Sequence, residues 1–109
     1  MDINFLGYNE NVVTFKVNGT INEGDFVKMY SSDTVAACSD GDDFIGVAVN
    51  VRNGCAAVQT AGYVEAAAAA AVDVGYNTLA ISDGVIAEAE TGREYMVIHS
   101  DSSTVGFIL

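Results

Sequence analysis

The chain has 109 residues, the length of one ordinary domain, so we assign residues 1–109 to a single domain. Its 15 acidic residues and four basic residues give a formal net charge of −11. A surface this acidic repels phosphate backbones and anionic lipid headgroups. We therefore predict that the protein binds neither nucleic acid nor a membrane.

The apolar part of the composition favours strands. Half of the residues are apolar, which is enough for a hydrophobic core, and most of these are Val, Ile, Ala, Phe and Tyr. Leucine occurs only at Leu6, Leu79 and Leu109. Because β-branched and aromatic side chains pack well on a pleated surface, the composition indicates an all-β protein.

Turn-forming residues divide the chain into short segments. They lie at 18–19, 23–25, 31–33, 39–43, 52–54, 73–75, 82–84, 91–92 and 100–103. A spacing of about 8–12 residues is typical of short antiparallel strands joined by tight hairpins. We therefore predict a small single-domain β-barrel or β-sandwich, without the helical crossovers of a parallel sheet.

Alternation of apolar and polar residues places the strands. Val13, Phe15 and Val17 are predicted to share one face of the first clear strand. In 44–51 the odd-numbered residues are all β-branched and are predicted to line one face together. These residues are Ile45, Val47, Val49 and Val51.

Two hairpin turns are predicted from dipeptides. Asn53-Gly54 separates two strand patterns, and Asp83-Gly84 separates two more. A two-residue type I′ turn needs positive φ at both central residues, which Asn, Asp and Gly adopt most readily.

The alanine run Ala66–Ala71 is open to two interpretations. Alanine is the best helix former, but a helix this short is marginal without tertiary packing. The preceding Ala61–Val64 segment has a strand pattern. We therefore favour a strand or an irregular extension over a helix in the alanine run.

The last strand is predicted where Val105, Phe107 and Leu109 alternate with Thr104, Gly106 and Ile108. His99, the chain's one histidine, lies at the polar end of the strand before it. Its spacing to Ser100 and Cys55 does not correspond to a catalytic arrangement. We predict a surface histidine and a protein that is not an enzyme.

The cysteines and the densest acidic cluster give weaker signals. Cys38 and Cys55 could pair if their strands are adjacent, but two buried free thiols are the favoured interpretation. The cluster Asp40-Gly41-Asp42-Asp43 could hold calcium through several oxygens. It lacks the spacing of a calcium-binding loop, so we favour a solvated turn and expect no metal and no cofactor.

Glycines and strand residues follow one another in a recognisable order along nearly the whole chain. The main stretches are Asn18–Ile21, Gly24–Val27, Phe44–Ala48, Gly54–Glu65, Val74–Asn77, Asp83–Val85, Gly92–Val97 and Asp101–Leu109. This order resembles the small capsid decoration proteins, or cement proteins, of tailed bacteriophages. The chain departs from the pattern at Ala66–Ala71, where a more varied stretch is expected.

The resemblance implies a structural, non-enzymatic subunit of the virion. Such proteins are made in the host cytoplasm, assemble as homotrimers and bind the major capsid protein on the outer surface of the head, which they stabilise. A trimer would help because several weak contacts made together bind far more tightly than one.

Capsid or subunit contact is predicted for the N-terminal residues Ile3, Phe5, Leu6 and Tyr8. Apolar residues at a terminus need a surface to pack on if they are to be ordered. An ordinary first strand in the subunit's own sheet remains equally open. The alternative function is a free-standing β module that binds glycans or a host-surface protein.

Overall fold

The computed structural model describes residues 11–82 and 84–109. These residues form ten strands and no helix, as the composition and turn spacing predict. The strands are β1 (Asn11–Val17), β2 (Phe26–Ser31), β3 (Thr34–Ala37), β4 (Gly46–Arg52), β5 (Cys55–Ala61), β6 (Tyr63–Ala67), β7 (Gly75–Ser82), β8 (Val85–Glu88), β9 (Glu94–Ser100) and β10 (Thr104–Ile108).

The first five strands form a closed barrel in the order β1-β3-β2-β4-β5, here called the first barrel. β1 closes it by pairing antiparallel with β5 and, over Lys16 and Val17, parallel with β3. All its other strand pairs are antiparallel. The barrel prediction is therefore confirmed, with one short parallel pair that the hairpin pattern did not predict.

The last five strands form a second sheet in the order β6-β10-β9-β7-β8. Its two edge strands approach each other at an isolated parallel bridge between Ala68 and Ile86. The Ala69 N–H also donates to the Ile86 carbonyl at 2.9 Å. The second sheet therefore curls until its edges meet.

The second sheet repeats the topology of the first barrel, strand for strand. The parallel pair Val17–Val35 in the first barrel corresponds to the bridge Ala68–Ile86. In each half the residue at the end of this pair donates its N–H to a hairpin carbonyl: Val17 to Gly54 at 3.0 Å, and Ala68 to Ser103 at 2.9 Å. The chain is a tandem structural repeat, which the sequence analysis did not detect.

β-Bulges strengthen this correspondence. The β4–β5 register shifts between Ala48 and Asn50, which leaves Val49 unpaired. The β9–β10 register shifts in the same way between Val97 and His99. Because an extra residue fixes the register on both sides, β4 and β5 can be aligned with β9 and β10 residue by residue.

The bulge also corrects one predicted face. Val47, Val49 and Val51 do not line a single face, because the extra residue reverses the alternation between them. Gly46 and Ala48 are buried instead, and Val49 is 41% exposed. The alternation predicted at the C-terminus is confirmed, since Val105, Phe107 and Leu109 are all buried.

Two further predictions concern local conformation. Asn53 and Gly54 have φ of 53° and 75°, as the type I′ turn requires. The second hairpin has Gly84 at φ 81°, whereas Asp83 lies outside the described residues. The alanine run enters as strand β6 and continues irregularly after Ala68. The extended interpretation is confirmed.

Each half has its own core. The buried residues of the first barrel are Ile21, Val27, Val35, Ala48, Ala56 and Val58. The larger core of the second sheet contains Val64, Val72, Leu79, Ile81, Ile86, Tyr95, Val97, Val105, Phe107 and Leu109, and also Phe44. Phe44 belongs to the segment between β3 and β4, so the first half contributes directly to the core of the second.

Phe44 joins the halves through aromatic packing. Its ring stacks on Tyr95 at 4.9 Å between centroids and lies 4.7 Å from Phe26 and 5.8 Å from Phe107. The Tyr95 hydroxyl donates to the Phe44 carbonyl at 2.9 Å. Because both halves share these buried groups, they should unfold together.

Candidate functional site

The contact residues predicted from the sequence are Ile3, Phe5, Leu6 and Tyr8. All four lie outside the described residues. Their proposed contact with a capsid or a neighbouring subunit therefore stays a prediction.

His99 lies on β9 with about half of its side chain exposed. Its Nε2 is 3.8 Å from Asp101 Oδ2. The Ser100 hydroxyl accepts the Val72 N–H at 2.8 Å, so it is used in holding the chain before β7. The geometry of His99 is that of a surface residue beside a carboxylate.

Asp101 organises the turn between β9 and β10. Its carboxylate accepts the N–H groups of Ser103 and Thr104 at 2.9 and 2.8 Å. These bonds are the main cause of a lowered pKa for Asp101. The role of this carboxylate is structural.

One carboxylate of the acidic cluster at 40–43 forms an ion pair with a lysine. Lys28 Nζ lies 2.6 Å from Asp42 Oδ2, which also accepts the Ser39 N–H at 2.7 Å. The bond to Lys28 is the largest cause of the lowered pKa of Asp42, and it raises the pKa of Lys28 in return. Within 11–82 and 84–109, no three His, Cys, Asp or Glu side chains converge as metal ligands would.

The cysteines are unpaired. Cys38 is half-buried, and burial raises the pKa of its thiol to about 12, with Asp42 adding to the effect. Cys55 is exposed. The prediction of two buried thiols is wrong for Cys55, because it opens β5 directly after the solvated Asn53-Gly54 turn.

An exposed apolar patch lies on the second sheet, and we call Val74, Tyr76 and Met96 the β7–β9 patch. These side chains are 68%, 70% and 38% exposed. Tyr76 and Met96 are direct cross-strand partners, so they form one surface. Clustered exposed apolar side chains mark interaction surfaces. The sequence analysis missed this patch because it depends on pairing between strands.

A second exposed apolar region lies on the first barrel. Met29 and Tyr30 on β2 are 46% and 59% exposed. β4 pairs with β2 only at Phe26 and Val27, so among the described residues no strand pairs with Met29 on that side. The β2 edge at Met29 therefore offers both apolar side chains and backbone groups to a partner.

A cleft of about 380 Å³ lies between the two halves. The residues that line it include Asp25, Phe26, Val64 and Glu65. The Tyr63 hydroxyl donates to Glu65 at 3.0 Å. Burial, followed by this bond to Glu65, raises the pKa of Tyr63 to about 12.

Comparison with known proteins finds no family model and no curated protein that matches this chain. In the part of the chain that the structure describes, no helix has the length and apolarity needed to cross a bilayer.

Proposed function

We propose that this protein is a structural, non-enzymatic decoration protein that binds the major capsid protein on the outside of a phage head. It acts as a homotrimer and stabilises the capsid. The observation that carries the proposal is an all-β body with exposed apolar side chains at Met29 and Tyr30 on the first barrel and at the β7–β9 patch on the second sheet. A subunit of a homotrimer contacts one neighbour on each side, and it needs two such surfaces to do so.

The glycines behind the sequence resemblance give further support, because they serve the scaffold. Gly62 has φ of 97° at the junction of the two halves, a conformation that side-chain-bearing residues rarely adopt. Gly46 has no space for a Cβ, which would meet the Gln59 carbonyl. Glycines with such backbone roles are what we expect if the resemblance reflects a scaffold whose function depends on shape.

The charge also fits an adhesive role. A net charge of −11 favours solubility of the free protein. It also favours a partner surface with basic residues, since complementary charge accelerates docking and fixes its orientation.

The test uses the full chain and undecorated, expanded heads of the phage whose capsid gene neighbours this one. The protein should co-sediment with the heads to a saturating level and raise the temperature at which they release DNA. Removal of residues 2–8 should abolish head binding and leave the fold intact, whereas Val49→Ser, at an exposed strand position, should change neither.

Absence of saturable binding by the full chain would overturn the proposed function. Full binding after removal of residues 2–8 would overturn only the role of Ile3, Phe5, Leu6 and Tyr8.

One observation favours the alternative function, a module that binds glycans or a host-surface protein. The cleft between the halves is lined by Asp25 and Glu65 together with apolar residues such as Phe26 and Val64, and sugars are held by such combinations of polar and apolar residues. Glycan-array binding that is lost in Glu65→Gln, by a protein that is monomeric in light scattering, would support the module. A trimer without array signals would support decoration.

A further inference from the structure

The first barrel packs on the second sheet through one row of side chains. Phe26 on β2 and Val47 on β4 are cross-strand partners, and Val47 in turn faces Gln59 on β5. Phe26 and Val47 both pack against the core of the second sheet. Gln59 is buried, and its amide donates to the Ala61 and Tyr63 carbonyls at the junction.

The tandem repeat places a corresponding row on the second sheet. Aligned through the matched bulges, the Val47–Gln59 pair corresponds to Met96–Ile108. The partner of Met96 on β7 is Tyr76, as the partner of Val47 on β2 is Phe26.

The two rows differ in what covers them. The Phe26 and Val47 side chains are half-buried under the second sheet. Tyr76 and Met96 are 70% and 38% exposed. The second sheet therefore carries a row that corresponds to the docking face of the first barrel, and among residues 11–82 and 84–109 this row stays open chiefly at Tyr76.

Within one chain, the second sheet also receives the first half through its backbone, at an edge of β7. The Gly41 N–H donates to the Ile81 carbonyl at 2.7 Å, and the Ile81 N–H donates to the Asp42 carbonyl at 3.3 Å. The 41–42 loop thus extends the second sheet beside β7, beyond the start of β9.

The first barrel repeats this edge at Met29. Ile81 pairs with Ile86 on β8, and Met29 pairs with Val35 on β3, while Val35 and Ile86 occupy matching places in the two parallel pairs. Met29 is 46% exposed. When positions are matched through β3 and β8, Met29 therefore holds the place of Ile81 and lies at an open edge of the first barrel.

The loop that would fill this edge precedes β9. It contains Gly92 with φ of 125°, and the segment that leads into β4 likewise contains a positive-φ glycine, Gly41 at 82°. Arg93 follows Gly92, so this loop carries one of the four basic residues of the chain. A positive charge there would lower the repulsion between two acidic copies.

We infer that copies of this chain associate head to tail, with the second sheet of one copy docked on the first barrel of the next. The β7–β9 patch is covered in this contact, and the 92–93 loop pairs with the β2 edge at Met29. The contact repeats between copies the packing that joins the two halves within one chain.

This arrangement specifies how the subunits of the proposed trimer contact one another. It rests on the trimer of the proposed function and not on the proposed binding to heads. A head-to-tail contact joins two different surfaces, and it closes into a ring when the rotation between copies permits. In a closed trimer, contacts within chains and contacts between chains would alternate around the ring.

The test measures molar mass by light scattering after gel filtration of the full chain. The wild-type protein should be oligomeric, and Met96→Asp should be monomeric with an unchanged circular dichroism spectrum. Val49→Asp is the matched control, since Val49 is 41% exposed, close to the 38% of Met96, and should leave the oligomer intact.

The head-to-tail geometry is tested by complementation. Met29→Asp should also be monomeric alone. Its mixture with Met96→Asp should form a one-to-one dimer, because each variant retains the surface that the other lacks. If either variant unfolds, Met29→Cys and Met96→Cys in a Cys55→Ser background should form an intermolecular disulfide, whereas Val49→Cys and Met96→Cys should not.

A monomeric wild-type chain, a Met96→Asp variant that keeps the oligomer, or a mixture without dimer and without crosslink would overturn the inference. These outcomes would not overturn head binding by the full chain, which is tested in a separate experiment. Conversely, a head-to-tail oligomer that does not bind heads would uphold the inference and overturn the proposed function.

Discussion

Replacing Phe44 by alanine tests whether the two halves form one cooperative body. Phe44 belongs to the first half and is 3% exposed; its ring packs on Tyr95 and Phe107 in the core of the second sheet and on Phe26 of β2. Phe→Ala at buried sites costs about 3–5 kcal/mol. Because the aromatic pairs each add about 0.5–1.5 kcal/mol beyond buried area, we expect the upper part of that range.

The assay is urea unfolding followed by far-ultraviolet circular dichroism and by tyrosine fluorescence. Both signals should shift together to lower urea, with one transition. Phe44→Leu should lower the free energy of unfolding less than Phe44→Ala, since leucine keeps most of the apolar volume. Val49→Ala, at an exposed position, should keep this free energy within about 0.5 kcal/mol of wild type. A loss below about 1 kcal/mol for Phe44→Ala, or two separate transitions, would refute the shared core.

Three further predictions concern single residues. Gly46→Ala should lower the free energy of unfolding by about 1–3 kcal/mol in the same assay, because the new Cβ would lie against the Gln59 carbonyl. At pH 8 an aromatic disulfide reagent should modify the exposed Cys55 quickly and Cys38 slowly, since burial raises the pKa of Cys38 to about 12. Asp42→Asn should lower the melting temperature at pH 7. This difference from wild type should vanish as the pH falls through the lowered pKa of Asp42, because the wild-type carboxylate is then protonated and no longer stabilises the folded state.

Each of these has a clear contrary result. Wild-type stability in Gly46→Ala would mean that β4 and β5 do not approach as described. Equal reaction rates for the two thiols would contradict the burial of Cys38. A melting-temperature difference for Asp42→Asn that is the same at pH 2.5 and pH 7 would show that the lysine contact does not contribute through the carboxylate charge.

Prediction from the sequence succeeded where only a few residue types can adopt the conformation that the fold requires. Asn53-Gly54 predicts its turn because few other dipeptides accept positive φ at both positions. The alternation of Val105, Phe107 and Leu109 predicts the last strand because one face of β10 is wholly buried. Local chemistry alone decides both features.

Features that depend on an extra residue or a distant partner were not predictable. The bulge at Val49 reverses the alternation of buried and exposed residues along β4. Valine is an ordinary strand residue, so its presence there does not indicate a bulge. Phe44 has the pattern of an ordinary strand residue, and only the tertiary structure shows that it fills the core of the other half. The repeat was not predicted because matched positions carry different residues, such as Val47 and Met96 or Phe26 and Tyr76, and only the strand pairing brings them into register.

The β7–β9 patch illustrates the same limit for function. Val74 and Tyr76 flank Gly75 in the sequence, but Met96 joins them only through the pairing of β7 with β9. A contact surface spread over several strands has no compact motif, in contrast to a catalytic centre.

The central claim is that this two-part β scaffold adheres to a phage head. Electron cryo-microscopy of undecorated, expanded heads before and after addition of the purified chain tests it most directly. We predict new density on the outer surface at threefold positions, with a volume that accommodates three copies of the scaffold. Identical reconstructions with and without the protein, at saturating concentration, would contradict the account.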